Sequence, residues 1–450
     1  MASLMTDPPN PDRQHTTAKA APVANRGVRK IWQALRHHPL ARLGPGLITG
    51  VADDDPSGIA TYSQAGAQFG FDMLWTMPLC YPLMSAVQLM CAQIGRVTGK
   101  GLAANIRAAF PPVVLFGVVG LLLVANTLNI AADVAAMGEV GEMVTGINRH
   151  AMTVLFVAVT LGLQIGVAYH RYVMVLKWLT LSLLAYAAVL FTVHVPWGQV
   201  MAHTVWPRFA INARSAAMIV AVFGTTISPY LFFWQASEEV EDMQRRHGRP
   251  LRGGNRRIAR AELRRMGWDT WSGMAYSNIA AFFVILATAV TLHVGGVTDI
   301  QTAAQAAGAL RPLAGNFAFL LFSIGLLGVG LIGVPVLAGS GAYAAAEAMG
   351  WNEGLERGVG QARGFYAVIA LSVIVALGIQ YSPINPMKAL VWSALINGVV
   401  AVPLLAVICL LIGKPAVMGR LTGGRWLVAT GWITTAVMGL AALGLLLPAQ

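Results

Sequence analysis

The sequence predicts an all-α polytopic membrane protein with eleven transmembrane helices and no soluble domain. Of its 450 residues, 56% are hydrophobic and only 11% are charged, a balance outside the range of soluble globular proteins. Apolar runs long enough to cross a hydrocarbon core of about 30 Å recur along the whole chain. They lie near 46–69, 72–95, 111–137, 151–169, 172–194, 216–237, 270–294, 316–346, 364–382, 388–412 and 425–447.

Basic residues are concentrated in every second loop, and this pattern predicts the orientation of the chain. Lys and Arg resist translocation and remain on the cytoplasmic side. The loop between the sixth and seventh spans has nine arginines between Arg245 and Arg265, whereas the intervening loops carry isolated ones such as Arg149 and Arg311. We therefore expect a multi-pass protein of the inner (plasma) membrane, with its N-terminus in the cytoplasm and its C-terminus outside.

The net charge of +12 does not require a nucleic-acid partner, because the arginines lie in loops assigned to one membrane face. Contact with anionic lipid is the simpler interpretation, and only the 245–265 run leaves room for a protein partner. Residues 1–43 are polar and lack the apolar core of a cleaved signal peptide. They are predicted to form a flexible basic cytoplasmic tail, followed by a single transmembrane domain over 44–450.

The usual signatures of enzymes and cofactor sites are missing from the sequence. The three cysteines lie in predicted spans without paired spacing, and the nine histidines are scattered. The motif "GVGLIG" (Gly328, Gly330 and Gly333) matches a dinucleotide fingerprint by letters only, because no strand surrounds it, so close helix packing explains it. We expect neither catalysis nor a cofactor.

Two spans contain a polar, proline-bearing break: the first at "DDDPSG" and the sixth at "GTTISPY", residues 224–230. Proline lacks a backbone donor and clashes with the preceding turn, so each span should open into two half-helices. Opened backbone within a membrane must line a cavity or hold an ion. Because the breaks are five spans apart, the two spans cross in opposite directions, which predicts two inverted repeats, about 44–194 and about 216–412, followed by an extra helix, about 425–447.

Three consecutive acids, Asp53, Asp54 and Asp55, lie in the first break. Adjacent helical residues point about 100° apart, so all three cannot face one ion. Asp55, directly before Pro56, is the candidate cation ligand, next to the negative end of a half-helix. Capping of a helix by Asp55 is the alternative, but intramembrane acids are functional by default. Asp53 and Asp54 are predicted to lie in the vestibule or to support the site from outside.

The stretch "GPGLITGVADDDPSGIATYSQAGAQFGFDMLW", residues 44–75, and the "VTGKGLA" after the second span resemble the natural resistance-associated macrophage proteins (Nramp), a family of divalent-metal transporters. The resemblance runs from about 44 to about 415. It implies a LeuT-like fold, with two inverted five-helix repeats, one extra helix, and helices 1 and 6 discontinuous. It also implies a metal site at Asp55, Ser57, Gly58, Thr225 and Ser228.

The motifs depart from the family pattern at two ligands. The family's Asp-Pro-Gly-Asn reads Asp55-Pro56-Ser57-Gly58 here, so the asparagine ligand is lost, and its Met-Pro-His reads Ser228-Pro229-Tyr230, so the thioether is lost. The backbone carbonyl that the family uses falls at Thr225. A site made only of oxygen atoms suits harder ions. The substrate is therefore predicted to be Mg²⁺ or Mn²⁺, as in a branch of Nramp-related magnesium transporters.

Proton coupling is expected to be weak or absent. The family's proton path uses acids of the third span and the sixth-span histidine, and this chain keeps only Asp133, with Ala136 and Tyr230 at the other positions. Tyrosine is a poor proton carrier near neutral pH. Asn397 in the tenth span is a further candidate pathway residue, whereas Asn126 and Asn129 are interpreted as interhelical hydrogen-bonding residues.

Two other functions are compatible with the sequence. One is a sodium-coupled symporter of a small organic solute on the same fold, and the other is an ion-binding homologue that no longer transports. The acid in the first break argues against an amino-acid substrate, because it would repel the carboxylate. The sequence does not predict the oligomeric state, and a monomer is plausible.

Overall fold

The computed structural model describes residues 44–167, 176, 179–208, 212–246, 248–355, 357–381 and 383–446, and every regular element in these ranges is helical. The predicted tail, 1–43, and part of the predicted fifth span lie outside the described residues.

The helices are numbered here in chain order. They are α1 (Pro45–Asp53), α2 (Pro56–Phe69), α3 (Thr76–Thr98), α4 (Leu102–Ala109), α5 (Pro112–Thr145), α6 (Arg149–Gly166), α7 (Leu184–Val189), α8 (Trp197–Val205), α9 (Ala213–Thr226), α10 (Pro229–Arg245), α11 (Arg256–Thr288), α12 (Ala303–Ala307), α13 (Arg311–Ala314), α14 (Ala318–Met349), α15 (Arg363–Ile379), α16 (Pro386–Ile412), α17 (Pro415–Met418) and α18 (Arg425–Leu443). A π turn, Ala289–His293, extends α11, and short 3₁₀ segments lie at Gly70–Met73, Leu179–Leu183, Gly308–Leu310, Gly315–Phe317 and Gly444–Leu446.

Within the described residues, eight helical segments are long and apolar enough to cross a membrane. They are Thr76–Thr98, Pro112–Thr145, Arg149–Gly166, Ala213–Arg245, Arg256–His293, Ala303–Met349, Pro386–Ile412 and Arg425–Leu446. The predicted ninth span corresponds to α15, which is apolar but has only 17 residues. The predicted first span falls short because it is divided into pieces of 9 and 14 residues. The total of eleven stays a prediction.

Both predicted breaks are present. Between α1 and α2, Asp54 has ψ 64° and Asp55 is extended, with ψ 172°. Between α9 and α10, Ile227 has ψ 57° and Ser228 has ψ 134°. A proline follows each break, and proline excludes the α conformation from the residue before it. The first predicted span (α1 and α2) and the sixth (α9 and α10) are therefore discontinuous, and the cause is the local sequence.

The half-helix α1 packs directly on the backbone of α11. A Cβ atom on Gly50 would lie 2.2 Å from the carbonyl oxygen of Gly273, and one on Gly273 would lie 2.2 Å from that of Gly46. The Asp269 carboxylate of α11 accepts hydrogen bonds from the amides of Gly44 at 3.1 Å and Gly46 at 2.8 Å. These contacts hold the start of α1 against α11 and satisfy its free N-terminal donors.

The most basic loops come together at one end of the helical bundle. Arg96, near the end of α3, donates to Glu262 near the start of α11 at 3.2 Å. Arg252 in the loop before α11 donates to the carbonyl oxygen of Ala416 in α17 at 3.0 Å. We call this end the basic face, which comprises 96–109, 242–265 and 412–421.

Candidate functional site

The side chain of Asp55 lies where the two broken helices meet, and it is 1% exposed. Its Oδ1 accepts hydrogen bonds from the Gly58 amide at 2.7 Å and the Ser57 hydroxyl at 2.9 Å. Its Oδ2 accepts from Asn129 at 3.1 Å and from the Tyr230 hydroxyl at 3.3 Å. Three helices, α2, α5 and α10, therefore fix one buried carboxylate.

The position of Asp55 relative to the helix ends differs in one respect from the expectation. The negative C-terminal end of α1 is adjacent, as expected, but Asp55 is also the N-cap of α2, which is the capping role named as the alternative. The positive end of the α2 dipole thus stabilises the ionised carboxylate. The carbonyl groups at the end of α1 provide the complementary negative field for a cation. Tyr230 shares its one hydroxyl proton between Asp55 and one of these carbonyl oxygens, that of Ala52, at 3.2 Å.

The sixth-span break contributes oxygen atoms beside the first. The hydroxyls of Ser57 and Thr225 lie 3.5 Å apart, and a Cβ atom on Gly58 would lie 3.3 Å from the Thr225 hydroxyl. Ser228 donates to the carbonyl oxygens of Gly224 at 2.8 Å and Thr225 at 2.6 Å. The structure brings Asp55, Ser57, Gly58 and Thr225 together. The Ser228 hydroxyl shares its one proton between two carbonyl oxygens at the end of α9 and keeps its lone pairs for another partner.

Asn129 and Ser393 were not predicted from the sequence to belong to the site. Asn129 does bridge helices, as expected, but its acceptor is Asp55, and its own oxygen accepts from Ser393 of α16 at 2.7 Å. Gly333 of α14 also packs here, since a Cβ atom on it would lie 3.1 Å from the Asp55 Cβ. One available signal was spacing: Asn129 is four residues before Asp133, which places both on one face of α5.

Two predicted pathway residues have unsatisfied buried polar atoms. Asp133 is fully buried, and its oxygens form no well-formed hydrogen bond to a described residue, although the Ser57 amide faces it. Asn397 of α16, one turn beyond Ser393, is 1% exposed, and its amide atoms likewise have no partner in the described part of the chain. Buried polar groups need partners, and a hydrated ion would supply them.

Asp53 and Asp54 face α11 and not the Asp55 cluster. The Ser277 hydroxyl lies between the two carboxylates and shares its one proton between Asp53 and, at 3.2 Å, Asp54. The remaining oxygens, Oδ1 of Asp53 and Oδ2 of Asp54, have no hydrogen-bond partner among the described residues. The two acids form a separate buried carboxylate pair beside the first break.

A second group of acids surrounds a cavity of about 290 Å³ at the basic face. Glu241 accepts from the Tyr343 hydroxyl and from the Leu355 amide at 2.9 Å, and Glu347 accepts from Ser237 at 3.2 Å. Glu353, in the loop after α14, completes the group. Burial, together with the carboxylates of Glu347 and Glu241, raises the pKa of Glu353 to about 9, against the opposing effect of Arg357.

Glu353 should make the folded protein less stable as the pH rises. Because its pKa in the folded state is above the ordinary 4.5, folding favours the protonated form, so its contribution is complete below pH 4.5 and is lost as the pH rises towards 9. We expect Glu353→Gln to raise the melting temperature at pH 8 by about 2–4 °C and to leave it unchanged at pH 4.5. Thermal unfolding in detergent measures this, with Glu142→Gln as control. Equal effects at both pH values would contradict it.

Comparison with known proteins supplies independent information. A family model described as natural resistance-associated macrophage protein-like (Nramp) matches residues 46–448. The divalent metal cation transporter MntH of Klebsiella pneumoniae (strain 342) is 25% identical over 429 residues, covering 94% of this chain and 96% of the relative. That of Acidiphilium cryptum is 28% identical over 452 residues, covering 91% and 89%.

Solved structures share the fold. A manganese transporter from Eremococcus coleocola matches with a TM-score of 0.70 at 19% identity, covering 92% of this chain and 86% of that chain. MhsT in complex with L-phenylalanine matches with a TM-score of 0.62 at 12% identity, covering 88% and 98%. These similarities confirm the predicted LeuT-like fold class.

Proposed function

This chain belongs to the family of natural resistance-associated macrophage proteins, and from that premise we propose that it moves divalent metal cations across the membrane by alternating access. The relatives named divalent metal cation transporter align along most of its length. Family membership does not favour the alternative of a sodium-coupled symporter for an organic solute. The cation is the substrate, and the lipid bilayer is the other partner.

The observation that carries the proposal is the buried Asp55 carboxylate at the meeting point of the two breaks. Among the described residues no Lys, Arg or His forms an ion pair with it, so its charge is offset only by neutral donors. A buried carboxylate is costly without a counter-charge. In this proposal Asp55 neutralises the ion, Ser57, Thr225 and Ser228 contribute oxygens, and Gly58 leaves space for water.

We propose Mg²⁺ or Mn²⁺ as the substrate, because all the candidate ligands are oxygen atoms. Mg²⁺ gives up its water reluctantly, and a site with a glycine at one ligand position accommodates a partly hydrated ion. Asp133 and Asn397 would contact this water from α5 and α16. Asp53 and Asp54 would attract cations along the path on the α11 side.

Ser228→Met tests the ion preference. A thioether favours softer ions, so we expect the preference for Mn²⁺ over Mg²⁺ to rise about tenfold in competition uptake. The matched control is Ser228→Ala, which removes the same hydroxyl without adding sulfur. If both variants change the preference equally, the sulfur is not responsible and the proposed position of residue 228 in the ion shell is wrong.

Weak or absent proton coupling is part of the proposal, because Ala136 and Tyr230 stand where the family has its acid and histidine. The expected result in proteoliposomes is uptake of Mg²⁺ or Mn²⁺, reported by an internal fluorophore, without matching internal acidification and without a need for Na⁺. Asp133→Asn should leave the pH profile of uptake unchanged. Accumulation of a solute driven by Na⁺, with no divalent uptake, would reject the proposed function.

We also propose the topology in which the basic face is cytoplasmic. The clustering of basic loops there supports it, since Lys and Arg remain on the cytoplasmic side. With eleven spans the C-terminus would be outside.

A further inference from the structure

The basic face contains a cavity of about 380 Å³ between the loop that precedes α11 and the segment that follows α17. Three arginines, Arg252, Arg256 and Arg420, line it together with three glycines, Gly253, Gly254 and Gly419. We call it the arginine cavity. We propose that it binds a phosphate group, and that the source of this phosphate is the headgroup of an anionic lipid.

The charge in the arginine cavity is not offset by the protein. All three arginines are exposed, and within the described parts of the chain none of them forms an ion pair with an acid. Glu262, the acid nearest in sequence to Arg256, is already engaged by Arg96 and Arg265. A guanidinium group offers forked donors that match the geometry of phosphate oxygens.

The backbone around the cavity favours a close approach by an anion. Gly253 has φ +82°, and a Cβ atom built on it would have no atom within 4 Å, so its backbone faces open space. The 33-residue helix α11 begins at Arg256, and its N-terminal end adds positive potential. Arg252 is held in place by its bond to Ala416. The cavity therefore combines a shaped space, three cations and a helix dipole.

Exposed apolar side chains lie close in sequence to the cavity lining, which favours a position at the level of the lipid headgroups. Ile258, two residues after Arg256, is 61% exposed, and Trp426 at the start of α18 is 88% exposed. Tryptophan is enriched at membrane interfaces, and exposed apolar residues of a membrane protein contact acyl chains. A lipid could thus place its phosphate on the arginines while its chains lie along the protein. Inorganic phosphate has the same chemistry without this second contact.

The cavity is connected through hydrogen bonds to the junction of α3, α10 and α11. The amides of Leu251 and Arg252 donate to the carbonyl oxygens of Arg96 at 3.3 Å and Val97 at 3.0 Å. The Arg96 side chain in turn lies 3.9 Å from Asp242 of α10. An occupied cavity would therefore brace the junction of α3, α10 and α11, whichever ion the protein carries.

The test is a titration of the delipidated full chain with dioleoylphosphatidylglycerol, with the bound lipids counted by native mass spectrometry. The cavity variant is Arg252→Gln/Arg256→Gln/Arg420→Gln. The matched control is Arg257→Gln/Arg260→Gln/Arg264→Gln, which removes the same charge from exposed arginines of α11 outside the cavity. We expect affinity for the first bound lipid to fall about tenfold in the cavity variant and less than about twofold in the control.

Equal losses in the two variants would overturn the proposal, because they would indicate attraction by the net charge alone. No loss in either variant would overturn it as well. A competition arm with inorganic phosphate identifies the source. Retention of the lipid in excess phosphate supports the headgroup as the ligand, and displacement supports a phosphate site that free phosphate also fills. Circular dichroism and gel filtration check that both variants fold.

Discussion

Asp55→Asn is expected to weaken divalent-cation binding by at least about 100-fold and to abolish uptake. Two unit charges 4 Å apart attract by about 4 kcal/mol at an effective dielectric constant of 20, and the attraction is larger for a divalent ion. Asparagine keeps the shape and remains a good N-cap, so α2 should still form. Isothermal titration of the purified protein with Mg²⁺ and Mn²⁺, and uptake in proteoliposomes, measure the effect.

The matched control for this prediction is Asp299→Asn, which removes the same charge from an exposed acid far along the chain. It should bind and transport as the unmodified protein does. A protein with Asp55→Asn that melts normally and still accumulates cations would show that the buried carboxylate is structural only. The proposed site would then have to be abandoned, although the family assignment would stand.

The positions of the helix breaks could be predicted from the sequence because their cause is local. Pro56 and Pro229 each restrict the residue before them, whatever the rest of the protein does. The separation of Asp55 from Asp53 and Asp54 arises at the break itself, because Asp53 ends α1 and the backbone changes conformation at Asp54 and Asp55. The angle of about 100° between helical neighbours did not predict that Asp53 and Asp54 share Ser277. Local rules therefore predicted where the two spans break, whereas the assignment of Asp55 as the cation ligand stays a proposal.

The partners of these acids could not be predicted, because they depend on how distant helices pack. Asn129 is 74 positions from Asp55, and the bond between them requires a particular rotation of α5 against the break. Ser393 is further away still, and it donates a hydrogen bond to Asn129. Ser277 meets Asp53 and Asp54 because α1 lies on α11 at one register. No periodicity within a single span contains this information.

The register of α1 on α11 depends on glycine, so a larger residue there should have a strong effect. Gly50→Val would place a branched side chain where even the Cβ atom lies 2.2 Å from the carbonyl oxygen of Gly273. Backbone cannot move aside as a side chain does, so α1 must separate from α11. Overpacking of this kind costs about 1–3 kcal/mol. We expect faster hydrogen exchange in α1 and loss of at least about nine-tenths of the uptake. Alternating access requires the bundle to close at the end where α1 contacts α11.

Gly117→Val is the matched control, since a Cβ atom on Gly117 in α5 would have no neighbour within 4 Å. The same change in volume and helix propensity is made there without a collision, so uptake and exchange should stay near those of the unmodified protein. Unaltered exchange in α1 with Gly50→Val would mean that the two helices do not touch as described. If α1 is released but uptake persists, contact between α1 and α11 is not part of the transport cycle, because closure at this end must then be achieved by other helices.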